Sequence, residues 1–141
     1  MSSYGPRPSQ LCLLSSLPRK ETGDKVRFLG CVTSYSPESG LLALEHRLPE
    51  DTHSVLTFVD VKLVLESLGS EQTRVGEWVN VIGYITDTAP ITSSGELSRG
   101  SLAVHTQAVL LWSAGPFDIR RYETSVKVIE QATRATGRVT S

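Results

Sequence analysis

The run from Glu77 to Asp87 restricts the fold more than any other part of the chain. Behind Gly76, residues Val79, Val81, Gly83 and Ile85 alternate with Trp78, Asn80, Ile82 and Tyr84. This period of two places one apolar set on a single face of an extended strand. Four further β-rich runs accompany it: Lys25 to Tyr35, Leu41 to Arg47, Ser54 to Val61 and Leu102 to Trp112. Five short strands that must each hide an apolar face close most economically into a barrel.

The connections carry turn chemistry. Gly30 interrupts the first run, and a glycine inside a strand marks a bulge or a sharp bend, which suits a long, curved strand. Ser36-Pro37-Glu38-Ser39-Gly40 reads as the turn of a hairpin, and Leu48 to His53 as a polar loop. Asp60 is placed to cap a short helix over residues 61–68, closed by Gly69, whose leucines would plug the barrel floor. Residues 88–100 form a long loop rich in Ser, Thr and Gly. The expected fold is therefore all-β: a five-stranded OB-fold barrel with a short helix between strands 3 and 4 and a C-terminal helix. Phe28, Leu44, Phe58, Val79, Val81 and Val104 are its core candidates.

Gly115-Pro116-Phe117 breaks the chain after the fifth strand. Asp118 then caps a helix expected over 118–133, with Arg134, Gly137 and Arg138 closing it. Ile119, Tyr122, Val126 and Ile129 recur at three- and four-residue steps, so they share a face, while Val128 and Ala132 widen the apolar surface beyond one seam. Such a stripe either seats the helix on its own barrel or docks a partner. The domain plan is a flexible N-terminus over 1–10, the barrel with its helix over 11–134, and a tail over 135–141. Leu11 to Leu17 is an apolar island expected to pack on the barrel.

A chain of 141 residues has room for one such domain. Its formal net charge of -1 argues against a protein that grips nucleic acid alone, because phosphate contacts need a basic surface. The charge is uneven. Residues 1–27 carry five basic and two acidic side chains, residues 28–116 four and ten, and residues 117–141 five and three. Either the two basic ends converge into one strip or they are solvated separately. Cys12 and Cys31 lack metal-like spacing and do not suggest a disulfide scaffold. No apolar run reaches the length of a signal-peptide core or a membrane span, so a soluble intracellular protein is expected.

Catalytic signatures are missing from the sequence: it has no phosphate-binding Gly-Lys loop, no Gly-x-Ser-x-Gly elbow and no His-Glu-x-x-His pair. His46, His53 and His105 fall in separate elements. Cys31 with His105 would make a nucleophile and base only if their strands met. No catalytic residue, metal or cofactor is expected. For nucleic acid, Arg27 is the leading candidate. With Phe28 pointing inward, Arg27 points outward, onto a face where OB barrels carry oligonucleotides. Tyr84, Arg134 and Arg138 are secondary candidates for stacking and phosphate contact.

The runs GDKVRFLGCVTSY at Gly23 to Tyr35, LLALEH at Leu41 to His46 and GEWVNVIGYI at Gly76 to Ile85 together resemble the small Ten subunit of the telomere-capping CST complex, fungal members above all. The likeness spans about residues 11–133. It implies a nuclear protein at chromosome ends that pairs with a Stn-type OB-fold subunit, as the two smaller subunits of replication protein A pair. The two C-terminal helices would pack together, with Ile119, Tyr122, Val126 and Ile129 as the contacts on this side. The resemblance further implies assembly with a large Cdc- or Ctc-type subunit, binding of single-stranded G-rich telomeric DNA and indirect help to DNA polymerase alpha-primase. A subunit of another genome-maintenance assembly, replication-protein-A-like or a RecQ-helicase cofactor, is the alternative, as is a scaffold without DNA contact.

Overall fold

The period-two segments form strands that share one continuous sheet. In the computed structural model, which describes residues 8–90 and 102–140 and the side chains of 8–88 and 102–133, they are β1 (Gln10–Leu11), β2 (Lys25–Ser36), β3 (Leu41–Glu45), β4 (Val55–Asp60), β5 (Trp78–Pro90) and β6 (Leu102–Ser113). The helices are α1 (Ser70–Thr73) and α2 (Ile119–Thr140), with 3-10 turns at Leu14–Arg19 and Lys62–Ser67. The sheet order is β1-β2-β3-β4-β6-β5, and a further β2–β5 pairing closes the ring. Strands β2 to β6 thus make the expected five-stranded barrel, and β1 is a two-residue parallel addition beside Val26 and Arg27.

β2 serves two neighbours. Its first half, Lys25 to Cys31, is antiparallel to β5, and its second half, Cys31 to Ser36, is antiparallel to β3. The register against β5 runs unbroken through Gly30, and the irregularity lies later, between Val32 and Ser34 against β3. Gly30 therefore supplies space and no bulge: a Cβ there would stand 2.9 Å from both Leu14 Cδ1 and Leu44 Cβ.

Phe28, Leu44, Val79, Val81 and Val104 are fully buried in the barrel. Phe58 is not. Strand parity turns Thr57 and Val59 inward, and the Thr57 hydroxyl satisfies itself against Thr106 Oγ1 at 2.9 Å. This leaves Phe58 outside, stacked on His105 with centroids 5.5 Å apart. Leu14 and Leu17 belong to the core at the N-terminal 3-10 turn, while Val61 and Val64 join it from the other short connection. Of the leucines expected to plug the floor, Leu68 packs against the core, but Leu63 is 64% and Leu65 49% exposed. The connection is also tighter than an α-helix, and α1 follows it as a separate turn. Asp60 does cap the start, its Oδ1 accepting from Lys62 N at 2.9 Å.

The β5–β6 pair slips register between Ile82 and Gly83 and again between Ile85 and Asp87, which curls this long hairpin around the core. At the first slip a Cβ on Gly83 would lie 2.2 Å from the Gln107 carbonyl oxygen. Backbone cannot retreat there without breaking the ladder. Gly83→Ala is expected to cost about 2–3 kcal/mol, in the range of overpacked cores, read as a lower urea midpoint at unchanged slope. Gly69→Ala, whose methyl would meet only Gln72 Oε1 at 3.5 Å, should leave the midpoint nearly unchanged.

Candidate functional site

Two surfaces collect the residues that sequence reasoning singled out. The first is the seat of α2. Asp118 caps it as expected, its Oδ1 accepting from Arg121 N at 3.2 Å. Val126 is 1% exposed and packs with Leu13 and Leu48, flanked by Leu11 and Tyr122. Around this apolar contact stands a polar clamp. His46 Nε2 lies 2.7 Å from Glu123 Oε2, with both side chains nearly inaccessible, and Arg120 Nη1 donates to the other oxygen at 2.9 Å. Facing a carboxylate, Nε2 is the nitrogen that carries hydrogen. The Leu13 amide donates to Glu130 Oε2 at 3.1 Å, and Lys127 Nζ donates to Glu50 Oε2 at 2.5 Å. That last bond draws the exposed Glu50 carboxyl below its usual range.

Aromatic edges complete the clamp. Trp78 meets His46 edge-on at 5.3 Å and Phe117 at 5.7 Å, and Phe117 meets Tyr122 at 6.5 Å. Burial pushes the Tyr122 hydroxyl up to about 12. The stripe read from sequence is thereby divided. Tyr122 and Val126 face the chain's own barrel, Ile119 is half-buried, and Ile129 is 42% exposed beside Val128 at 60%. The reason is that α2 rotates to satisfy Glu123 and Glu130 as well as its apolar residues. Two carboxylates inside the apolar face were the signal available in the sequence. Their partners, His46 and the Leu13 amide, lie too far away in the chain to be found by periodicity.

The second surface is the outer face of β2, β5 and β6. Register aligns Lys25 with Tyr84 and Gln107, Arg27 with Ile82 and Leu110, and Leu29 with Asn80 and Trp112. Arg27 and Tyr84 therefore do share a face. The Arg27 guanidinium lies 5.3 Å from the centre of the Trp112 ring, and Lys25 Nζ 5.9 Å from that of Tyr84, both within cation–π range. This is not the β3–β4 face on which OB barrels hold oligonucleotides. Arg27 sits in the half of β2 that pairs with β5, so it projects elsewhere. Arg134 and Arg138 are in α2, but their side chains lie outside the described residues. Arg19 and Lys20 line a furrow with Glu130 and Thr133 of α2, and among the described residues no basic side chain of the helix joins them there. Glu130 makes that furrow mixed in sign. Cys31 pairs with Trp78 whereas His105 pairs with Asp87 toward the far end of β5, so they are not brought together.

The family model described as "Telomere capping, CST complex subunit", Ten1, matches residues 1–127. The chain belongs to the Ten1 family. Its fold is that of solved Ten1 structures: the S. pombe Stn1–Ten1 complex is 24% identical over 90% of this chain and 96% of that chain, with a TM-score of 0.60. Ten1 from S. pombe is likewise 24% identical, over 88% and 99%, at 0.58. An asparaginyl-tRNA synthetase from Entamoeba histolytica shares only the barrel, at 14% identity, 80% of this chain, 25% of that chain and 0.52. A search of curated proteins finds no match. Membership in the Ten1 family makes this chain a telomere-capping subunit of the CST type.

In this Ten1-family chain the His46–Glu123 pair is the polar centre of the clamp. Removing one partner of a buried pair costs about 3 kcal/mol or more, because the other is left without compensation. His46→Ala should therefore lower the urea midpoint strongly. His46→Leu with Glu123→Leu should regain much of that loss, giving a coupling of about 1–3 kcal/mol in a double-mutant cycle. Additive single effects would remove the pair from the clamp.

Proposed function

We propose that this Ten1-family subunit pairs with a Stn-type OB-fold protein through the outward side of α2. The observation that carries the proposal is the helix itself. Its inner side is fixed to the barrel by Val126, Glu123 and Glu130, while Ser125, Val128, Ile129 and Ala132, at helical steps of three and four, are exposed. Small and apolar residues along one seam suit a second helix. Of the four contacts expected from sequence, Ile129 stays on the outward side, joined by Val128, whereas the side chains of Tyr122 and Val126 pack on the barrel. The S. pombe Stn1–Ten1 complex, which this fold matches, supports the choice of partner.

The heterodimer joins a large Cdc- or Ctc-type subunit in the nucleus, at the telomeric region of chromosomes. There it binds single-stranded G-rich telomeric DNA, protects the end and serves DNA polymerase alpha-primase indirectly. Arg27 and Tyr84 are this chain's candidates for the strand, and a net charge of -1 fits a contributor to a shared site better than an independent binder.

Val128→Asp with Ile129→Asp should weaken capture of the Stn-type partner by about 2 kcal/mol or more, measured by titration calorimetry. The melting temperature should stay close to wild type, because both side chains already face solvent. Tyr122→Ala should instead lower the melting temperature. Undiminished capture by the double aspartate variant would place the interface away from this seam.

A further inference from the structure

The nine register-aligned positions on the outer side of β2, β5 and β6 are Lys25, Arg27, Leu29, Asn80, Ile82, Tyr84, Gln107, Leu110 and Trp112; Leu29 is buried, the other eight reach solvent, and none is a carboxylate. That is unusual for this chain, whose residues 28–116 hold ten acidic against four basic side chains. Among the described residues Arg27 makes no ion pair. Its guanidinium, exposed on β2, lies instead against Trp112. Leu110 beside it is 56% exposed. The ring of Trp112 is half-buried, so its position is set by the sheet while one face meets the arginine.

We propose that this face is a platform for single-stranded DNA in which Trp112 supplies the stacking ring and Arg27 is its displaceable cover. The inference rests on the DNA reading given above and adds the ring, the mechanism and the face. An aromatic ring accepts any base, and a nearby cation accepts the phosphate that follows it. In the free protein the guanidinium occupies the ring by cation–π attraction, which at exposed sites is worth only about 0.5–1 kcal/mol. A base stacking on a ring gains about 1–3 kcal/mol, so the exchange favours the strand. The displaced guanidinium swings on its own side chain to a phosphate, and nothing on the face competes for it as a carboxylate would. Tyr84 with Lys25 repeats the pairing of ring and cation one step along the same strands. The opposite barrel face offers Phe58 stacked on His105, but that ring pair lies beside β3, whose outward Glu45 and neighbouring Asp60 repel a phosphate chain.

The test uses the full chain at low salt and an end-labelled oligothymidylate of about 12 nucleotides, followed by the fluorescence anisotropy of the label and repeated across salt concentrations. Trp112→Leu keeps apolar bulk and removes the π face. It should cut affinity about thirtyfold, near the middle of the stacking range, and leave the salt slope unchanged. Arg27→Gln should flatten the slope by about 0.7, the value for one phosphate contact on a single strand. Trp112→Phe keeps an aromatic face and should bind nearly as wild type. If both Trp112→Leu and Arg27→Gln match wild type in affinity and slope, the platform is wrong even though DNA is bound. If they bind DNA normally and lose the Stn-type partner, the face is a protein interface and the platform is likewise wrong. If neither the wild-type chain nor its complex binds the oligonucleotide, the DNA reading itself falls and takes the platform with it.

Discussion

β2 must hydrogen-bond to β5 along its first half and to β3 along its second, and the rest of the molecule follows from that demand. A strand can change neighbours only by bending, and bending draws Leu14 of the N-terminal 3-10 turn and Leu44 of the neighbouring strand β3 onto its inner side at Gly30. Any side chain there would hold the wall open. Closure in turn fixes which way every residue of β2 faces. Val26 and Phe28 go inward and Arg27 outward on the β5 side, and the β1 segment is laid beside Val26 and Arg27. The seat of α2 is built on this edge, since Leu11 and Leu13 lead directly from β1 into the cluster that holds Val126.

The helix presents two different faces. Its inner face is mixed, with a buried imidazole–carboxylate hydrogen bond, two further carboxylate contacts and few apolar side chains. Such contacts are poor sources of net stability compared with apolar packing, but they tolerate only one rotation of the helix. A purely apolar seat would let α2 roll by a residue and bury Ile129 in place of Val126. Because Glu123 must find His46 and Glu130 must find the Leu13 amide, Val128 and Ile129 are held outward. Orientation of the outer seam is therefore a consequence of the polar clamp. The surface pair Lys127–Glu50 adds little to this, as exposed ion pairs do.

The barrel was legible because its signals are local. Alternation along Trp78 to Ile85, turn residues at Ser36 to Gly40 and the Asp118 cap each lie within a few residues, and each corresponds to an observed element. Where the sequence misled, a long-range partner decided the matter. Phe58 looked like core by type, but parity with Thr57 and its hydroxyl partner Thr106 on β6 turned it out. Gly30 read as a bulge or a sharp bend; no bulge forms there, and its role depends on Leu14, which lies outside the strand pair altogether. The helix extends past Thr133 to Thr140 because one internal glycine costs only about 1 kcal/mol and does not end a helix unaided. The apolar stripe on α2 was visible, yet periodicity could not say which part of it the barrel would take. His46 is remote from Glu123 in the chain, and only the closed barrel brings the end of β3 beneath the helix.

Near-neutral charge and a cationic face are compatible once position is considered. Phosphate affinity depends on local potential within about a Debye length, roughly 10 Å at moderate salt, and not on the sum over the chain. Among the described acidic residues of the middle segment, Glu50 meets Lys127, Asp60 meets Lys62 and Glu77 meets Arg74. None stands on the nine-position outer face. Arg27 is also close enough to Tyr122 to bear on its ionisation, so this face borders the base of α2. Under the proposed pairing, a partner on the outer seam of the helix would stand next to it. A strand gripped by that partner would meet Arg27 and Trp112 as an intramolecular second contact, and even a weak contact then gains from the effective concentration that tethering provides. A subunit in that position does not need a basic charge of its own.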